Sequence, residues 1–183
     1  MRPWGEFLNG HGFTVRVPLL PGHGTSIAEL DKVNWQQWPA EIESHVNQLL
    51  VDCEKVFLCG FSMGAAASLH VASRYQSQLS GVILVNPMIH RKNVWPTAVK
   101  IASRLVKSFG TAGSDIKRGD VIQWKYDRTP MRAAHQLLRL LEETRPLLPT
   151  IKSPLMLFRS VTDHTLPASN SAFILNSIGS NQR

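Results

Sequence analysis

Leu58-Cys59-Gly60-Phe61-Ser62-Met63-Gly64-Ala65-Ala66-Ala67 is the stretch on which the fold turns. An apolar run, Val56 to Cys59, leads into a G-x-S-x-G pattern, and an alanine-rich segment, Met63 to Tyr75, follows it. That order predicts a strand, a sharp turn carrying the serine, and a helix. A serine held in strained backbone at such a turn projects its hydroxyl clear of a sheet. Gly60 and Gly64 are read as positions where a side chain would collide as the backbone doubles back. Ala65, Ala66 and Ala67 let the helix lie close to the strand. The Met63 N–H, at the helix N-terminus, points to where an oxyanion would form. The plainer alternative is a small-residue helix start with Ser62 as its cap.

Two further apolar runs, Val82 to Val85 and Leu155 to Phe158, extend the pattern. Unbroken rather than alternating runs suit a parallel sheet covered by helices on both faces, so the class is α/β with a mostly parallel sheet. Ahead of them, Met1 to Gly12 reads as a helix ended by Asn9-Gly10-His11-Gly12. Phe13 to Val17 reads as a short strand, Leu20 to Thr25 as a turn, and Asn34 to Asp52 as a helix in which Trp38, Ile42, Val46, Leu49 and Leu50 recur at three- and four-residue steps. Residues 91–150 break the rhythm. One helical stripe is expected at Val94, Ala98, Ile101, Ala102, Leu105 and Phe109, and another at Ala134, Leu137, Leu138 and Leu141. The chain therefore divides into a core of residues 1–90 and 151–183 and a helical insertion at 91–150.

The 183 residues are 43% apolar and 18% charged, as in an ordinary globular domain. No apolar run reaches eighteen residues, and no signal-peptide pattern opens the chain. Two cysteines, Cys53 and Cys59, make no disulfide framework, and no Cys/His cluster has zinc spacing. A reducing, cytoplasmic setting is the expectation. Residues 91–150 hold twelve Lys/Arg against five Asp/Glu, so the whole net charge of +7 lies in the insertion. No nucleic-acid-binding motif accompanies it, which leaves a solvated helical surface or a weak contact with an anionic surface. Gly60 to Gly64 is neither G-x-G-x-x-G nor a P-loop, which excludes a nucleotide site there.

A serine hydroxyl needs a base, and the base needs a carboxylate to orient it. Asp163 is the candidate carboxylate. It lies in the loop after the third apolar run, at the sheet end that carries Ser62, where α/β folds collect their functional groups. Its alternative role is to cap a helix starting near Pro167.

Leu20-Pro21-Gly22-His23-Gly24, Gly60-Phe61-Ser62-Met63-Gly64 and Asp163-His164-Thr165-Leu166-Pro167 together resemble the α/β-hydrolases over nearly the whole chain. The nearest group is the bacterial carboxylesterases and monoacylglycerol lipases, also labelled serine aminopeptidase-like. The resemblance implies a helical cap at 91–150, Ser62 as nucleophile, Asp163 as triad acid and the Met63 N–H as oxyanion donor. It also implies hydrolysis of a small acyl ester through an acyl-enzyme, with no metal or organic cofactor. Two departures stand against it. No histidine follows His164 to serve as the triad base. The family's strand and loop that precede the first helix are absent, which implies a gap between residues 14–17 and 56–59. His11, His45, His70 and His135 are expected on helices, at a helix end or in the insertion; His23 is expected to be structural, and His90 follows a strand. The chain is thus expected to be a piece of a longer hydrolase. An inactive remnant serving as a binding module and an amide or peptide hydrolase are the competing readings.

Overall fold

In the computed structural model, residues 1–91, 96–110, 126–163 and 165–183 are described. The chain forms α1 (Arg2–Gly10), α2 (Ile27–Lys32), α3 (Gln37–Asp52), β1 (Phe57–Phe61), α4 (Met63–Tyr75) and β2 (Gly81–Val85). It continues through α5 (Pro96–Leu105), β3 (Ser108–Gly110), β4 (Arg128–Pro130), α6 (Met131–Thr144), β5 (Leu155–Phe158) and α7 (Ser169–Ser177). The three apolar runs are strands of one parallel sheet in the order β1-β2-β5. Ser26 Oγ accepts from Glu29 N–H at 3.1 Å and starts α2, an element the hydrophobic pattern did not reveal.

Register assigns the two faces of the sheet. Leu58, Val82 and Leu155 stand in one row and are all buried. Cys59, Ile83 and Met156 stand in the next, on the opposite face. The first face lies under α4, where Ala65, Ala66, Ala67, Leu69, Val71 and Ala72 are wholly buried. Each fully buried Leu or Val contributes roughly 1.5–3 kcal/mol, and the alanines contribute by allowing close approach. The other face is more open: Phe57, Phe61, Met156 and Phe158 are each about half exposed. At the far edge, Gln182 O accepts from Leu155 N–H at 2.9 Å.

Phe13 to Val17 differs from expectation. It runs without ladder pairing, and no strand among the described residues lies between it and β1. It is held instead by α1, where a Cβ on Gly5 would come within 2.5 Å of Val17 Cγ2. Trp38 is buried and donates from Nε1 to Pro21 O at 3.0 Å, holding the turn at residues 20–25.

Within residues 91–150, α6 buries Leu138, Leu140 and Leu141 against α4. The first expected stripe is corrected. Ala98, Ile101 and Leu105 are exposed, and α5 turns Val99 and Ala102 inward, toward its packing partner α6. Phe109 belongs to β3, which pairs antiparallel with β4, not to a helix. Val94 lies outside the described residues.

A polar network joins α4 to α3 and α6. Arg74 donates to Glu43 Oε1 at 2.6 Å and to His70 Nε2 at 3.2 Å. Since arginine only donates, Nε2 accepts, so Nδ1 carries the proton and faces Thr144 Oγ1 at 3.3 Å. Burial, and then the Arg74 charge, push the His70 pKa below its ordinary 6.5. The unfolded chain therefore protonates at higher pH than the folded one. The stability this histidine contributes is complete above 6.5 and is lost as pH falls below it. We expect the thermal midpoint to drop between about pH 8 and about pH 5.5, and to drop less in His70→Gln. Equal drops in both proteins would refute the assignment.

Candidate active site

The turn between β1 and α4 forces a non-glycine residue into a conformation that L side chains rarely adopt. Ser62 has φ 53° and ψ −119°, at a cost of about 1–3 kcal/mol that the surrounding structure must offset. The restraints are visible. Ser62 N–H donates to Val85 O at 3.1 Å, and Ser62 O accepts from Ala65 N–H at 3.1 Å and Met88 N–H at 3.2 Å. The Ser62 side chain makes no capping hydrogen bond to α4, so its hydroxyl is not consumed in starting the helix. Met63 N–H, in the first turn of α4, has no acceptor among the described residues. It is one of the orphan donors that every helix start leaves.

The two glycines of the pattern differ. A Cβ on Gly60 would lie 2.5 Å from Ala65 Cα and 2.9 Å from Ala65 N, so only glycine lets β1 and α4 meet. A Cβ on Gly64 would meet nothing within 4 Å. The expectation of collision at Gly64 is thus corrected: this position, on the first turn of α4, opens onto a cavity rather than onto the doubled-back chain.

Asp163 sits five residues beyond β5, at the same sheet edge as Ser62, since the register aligns Phe61, Val85 and Phe158. Its Oδ1 accepts from Thr165 N–H and Leu166 N–H, both at 2.8 Å. It organises its own turn and does not cap α7, whose N-cap is Ala168. Its second oxygen has no partner among the described residues.

The histidines are placed elsewhere. His11 Nδ1 lies 2.8 Å from Phe7 O, His23 Nδ1 3.3 Å from Pro21 O, and His45 Nε2 3.2 Å from Glu41 Oε1. His90 Nε2 is 3.0 Å from Ser169 Oγ, and its ring packs edge-on against Phe173. His135, on α6, has its pKa lowered by burial and then by Arg139 and Lys100. None of the six described histidines hydrogen-bonds Ser62; His164 lies outside the described residues.

Three residues that sequence reasoning missed hold the site's edge together. Asn86, at φ 41°, accepts from Ser160 N–H at 2.7 Å and ties the end of β2 to the Asp163 loop. Buried Asn170 accepts from Ile89 N–H at 2.6 Å and His90 N–H at 2.8 Å. Tyr126 OH accepts from Thr25 N–H at 2.8 Å and donates to Gly22 O at 3.0 Å, which ties the segment before β4 to the turn at 20–25. No local pattern marks any of them, because each acts across more than 70 residues of chain.

Over residues 2–183 the chain matches the family described as serine aminopeptidase, S33. This chain belongs to that family of α/β-hydrolases. The hydrolase is 30% identical over 183 residues to a thermostable monoacylglycerol lipase of Bacillus sp. (strain H-257), covering 100% of this chain and 72% of the lipase. It is 24% identical over 181 residues to a carboxylesterase of Bacillus subtilis (strain 168), covering 97% and 72%. A solved structure reported with the metagenome-derived lipolytic enzymes LipS and LipT superposes with a TM-score of 0.93 at 30% identity, over 100% of this chain and 74% of that one. The Paleococcus ferrophilus monoacylglycerol lipase shares the fold, with a TM-score of 0.75 at 21% identity over 97% and 74%.

The glycine contrast is testable by denaturant unfolding. Gly60→Ala should destabilise by about 3 kcal/mol or more, because backbone atoms must move. Gly64→Ala should be neutral or stabilising by up to about 1 kcal/mol, as for alanine replacing glycine in an open helical position.

Proposed function

We propose that this α/β-hydrolase cleaves carboxylic esters of the monoacylglycerol or simple carboxylester type through an acyl-enzyme on Ser62. The observation that carries the reading is the Ser62 conformation, with its hydroxyl uncommitted to capping and the adjacent Met63 N–H open. Ser62 Oγ attacks the acyl carbon as its proton passes to a general base. The carbonyl oxygen becomes an oxyanion beside Met63 N–H, the ester C–O bond breaks, and the alcohol leaves with the proton. Water then repeats the sequence on the acyl-serine, releasing the acid and restoring Ser62. Asp163 is the acid that orients the base. The base itself is a role that none of the six described histidines fills by contact with Ser62.

Residues 91–150 act in this reading as a cap, anchored by Tyr126, with the exposed apolar Ile101, Leu105 and Val106 beside Lys100 and Arg104. That pairing suits an acyl chain entering from a weakly anionic surface. No helix among the described residues is long and apolar enough to cross a membrane.

Fluorophosphonate labelling read by peptide mass is the test. An adduct on Ser62, absent from Ser62→Ala and formed roughly 10⁴-fold more slowly in Asp163→Asn, is expected. A folded protein with no adduct on Ser62 would sink the reading and favour a non-catalytic binding module. Esters should turn over faster than matched aminoacyl amides; the reverse order would make the protein an aminopeptidase, as the family description words it.

A further inference from the structure

Arg159, Ser160, Val161 and Thr162, which lead from β5 to Asp163, are all exposed. A loop with no side chain in the core is not placed by packing, so its hydrogen bonds decide where its functional group sits. On both sides of Asp163 those bonds run to one segment, residues 86–90, which follows β2. Asn86 Oδ1 accepts from Ser160 N–H at 2.7 Å, and Asn86 N–H donates to Phe158 O at 2.9 Å. Beyond Asp163, Asn170 Oδ1 accepts from Ile89 N–H at 2.6 Å and His90 N–H at 2.8 Å. Asn170 N–H donates to Pro167 O at 3.0 Å, next to the turn whose Thr165 and Leu166 N–H groups hold the Asp163 carboxylate.

The same segment restrains the nucleophile. Met88 N–H, between the two asparagine contacts, donates to Ser62 O at 3.2 Å, and Val85 O, just before them, accepts from Ser62 N–H at 3.1 Å. Ser62 and the Asp163 loop are thus held to one short stretch of backbone. Each asparagine serves through its amide oxygen. Asn170 is buried and matches two adjacent N–H groups that would be costly to leave unpaired. Asn86 has φ 41°, a conformation that asparagine adopts more readily than most residues. We propose that Asn86 and Asn170 are positioning residues for the ester hydrolysis: they clamp the acid loop to the segment that restrains Ser62, and so fix the acid relative to the nucleophile. The inference rests on the acyl-enzyme reading of Ser62 and Asp163. Misplacing a reacting group by about 1 Å costs roughly 100-fold in rate, so such a clamp acts on the chemical step rather than on binding.

Asn86→Gly is the cleaner variant, since glycine keeps the positive φ and removes only the acceptor. Asn170→Ala removes the buried acceptor, and Ser153→Ala is the control. Ser153 is buried and donates to Gln76 O at 2.6 Å at the opposite end of β5, so its loss lowers stability away from the site. Fluorophosphonate labelling of Ser62 is followed against reagent concentration, together with exchange at the Met88, Thr165 and Leu166 amides, which bond to neither asparagine side chain. Both asparagine variants should lower the maximal labelling rate roughly 10- to 100-fold at an unchanged half-saturating concentration. Both should speed exchange at those three amides about tenfold or more, while Val82, Ile83 and Leu84 hold. Ser153→Ala should do neither. If Asn170→Ala does not fold, Asn86→Gly decides alone. An unchanged maximal rate, a change in half-saturating concentration only, or an equal loss in Ser153→Ala overturns the inference. A folded wild-type chain that takes no label strikes down the acyl-enzyme reading itself, and exchange then decides the clamp. Acceleration confined to the amides bonded to the substituted asparagine overturns it in either case.

Discussion

The contact between Gly60 and Ala65 governs the geometry of everything around it. With no side chain at Gly60, the backbone of α4 approaches β1 closely enough that a Cβ would lie 2.5 Å from Ala65 Cα. That approach leaves Ser62 alone between β1 and α4, at φ 53°. The three buried alanines extend the close packing along α4, and Leu69 and Val71 then reach the core. Strain at one residue is tolerated because hydrogen bonds to Val85, Ala65 and Met88 over-determine its position.

From that turn, the parallel register carries the chemistry to one edge. Equal register across β1, β2 and β5 brings the residues after Phe61, Val85 and Phe158 together. Ser62, Asn86 and the Asp163 loop are neighbours for that reason, though they are distant in sequence. Tyr126 is tied to the turn at residues 20–25, its hydroxyl bridging Gly22 and Thr25. On the covered face, the helices α4 and α6 share buried His70 and Thr144, a polar pair placed within an otherwise apolar contact.

On the side of β1 away from β2, no strand among the described residues pairs with it. Phe57 and Phe61 are about half exposed although they lie in a strand of the central sheet. Residues 13–17 keep an extended path but have no ladder, since extended backbone becomes a strand only by pairing. β-propensity at Val15 and Val17 was therefore a sound reading of the local chain and still did not yield a strand.

The sequence by itself determined the parallel α/β class, the strand–serine–helix turn, the bounds of α4 at Met63 and Tyr75, and Ser62 and Asp163 as candidates. These rest on local signals: unbroken apolar runs, small residues at fixed spacing, and helical periodicity. The tertiary structure alone decided which of the two motif glycines is sterically required, because that depends on what each Cβ would meet. It also decided the inward face of α5, the β3–β4 pairing and the roles of Asn86, Tyr126 and Asn170. In each of these, the partner lies far along the chain or on another element, and no local pattern encodes a contact whose other half is elsewhere.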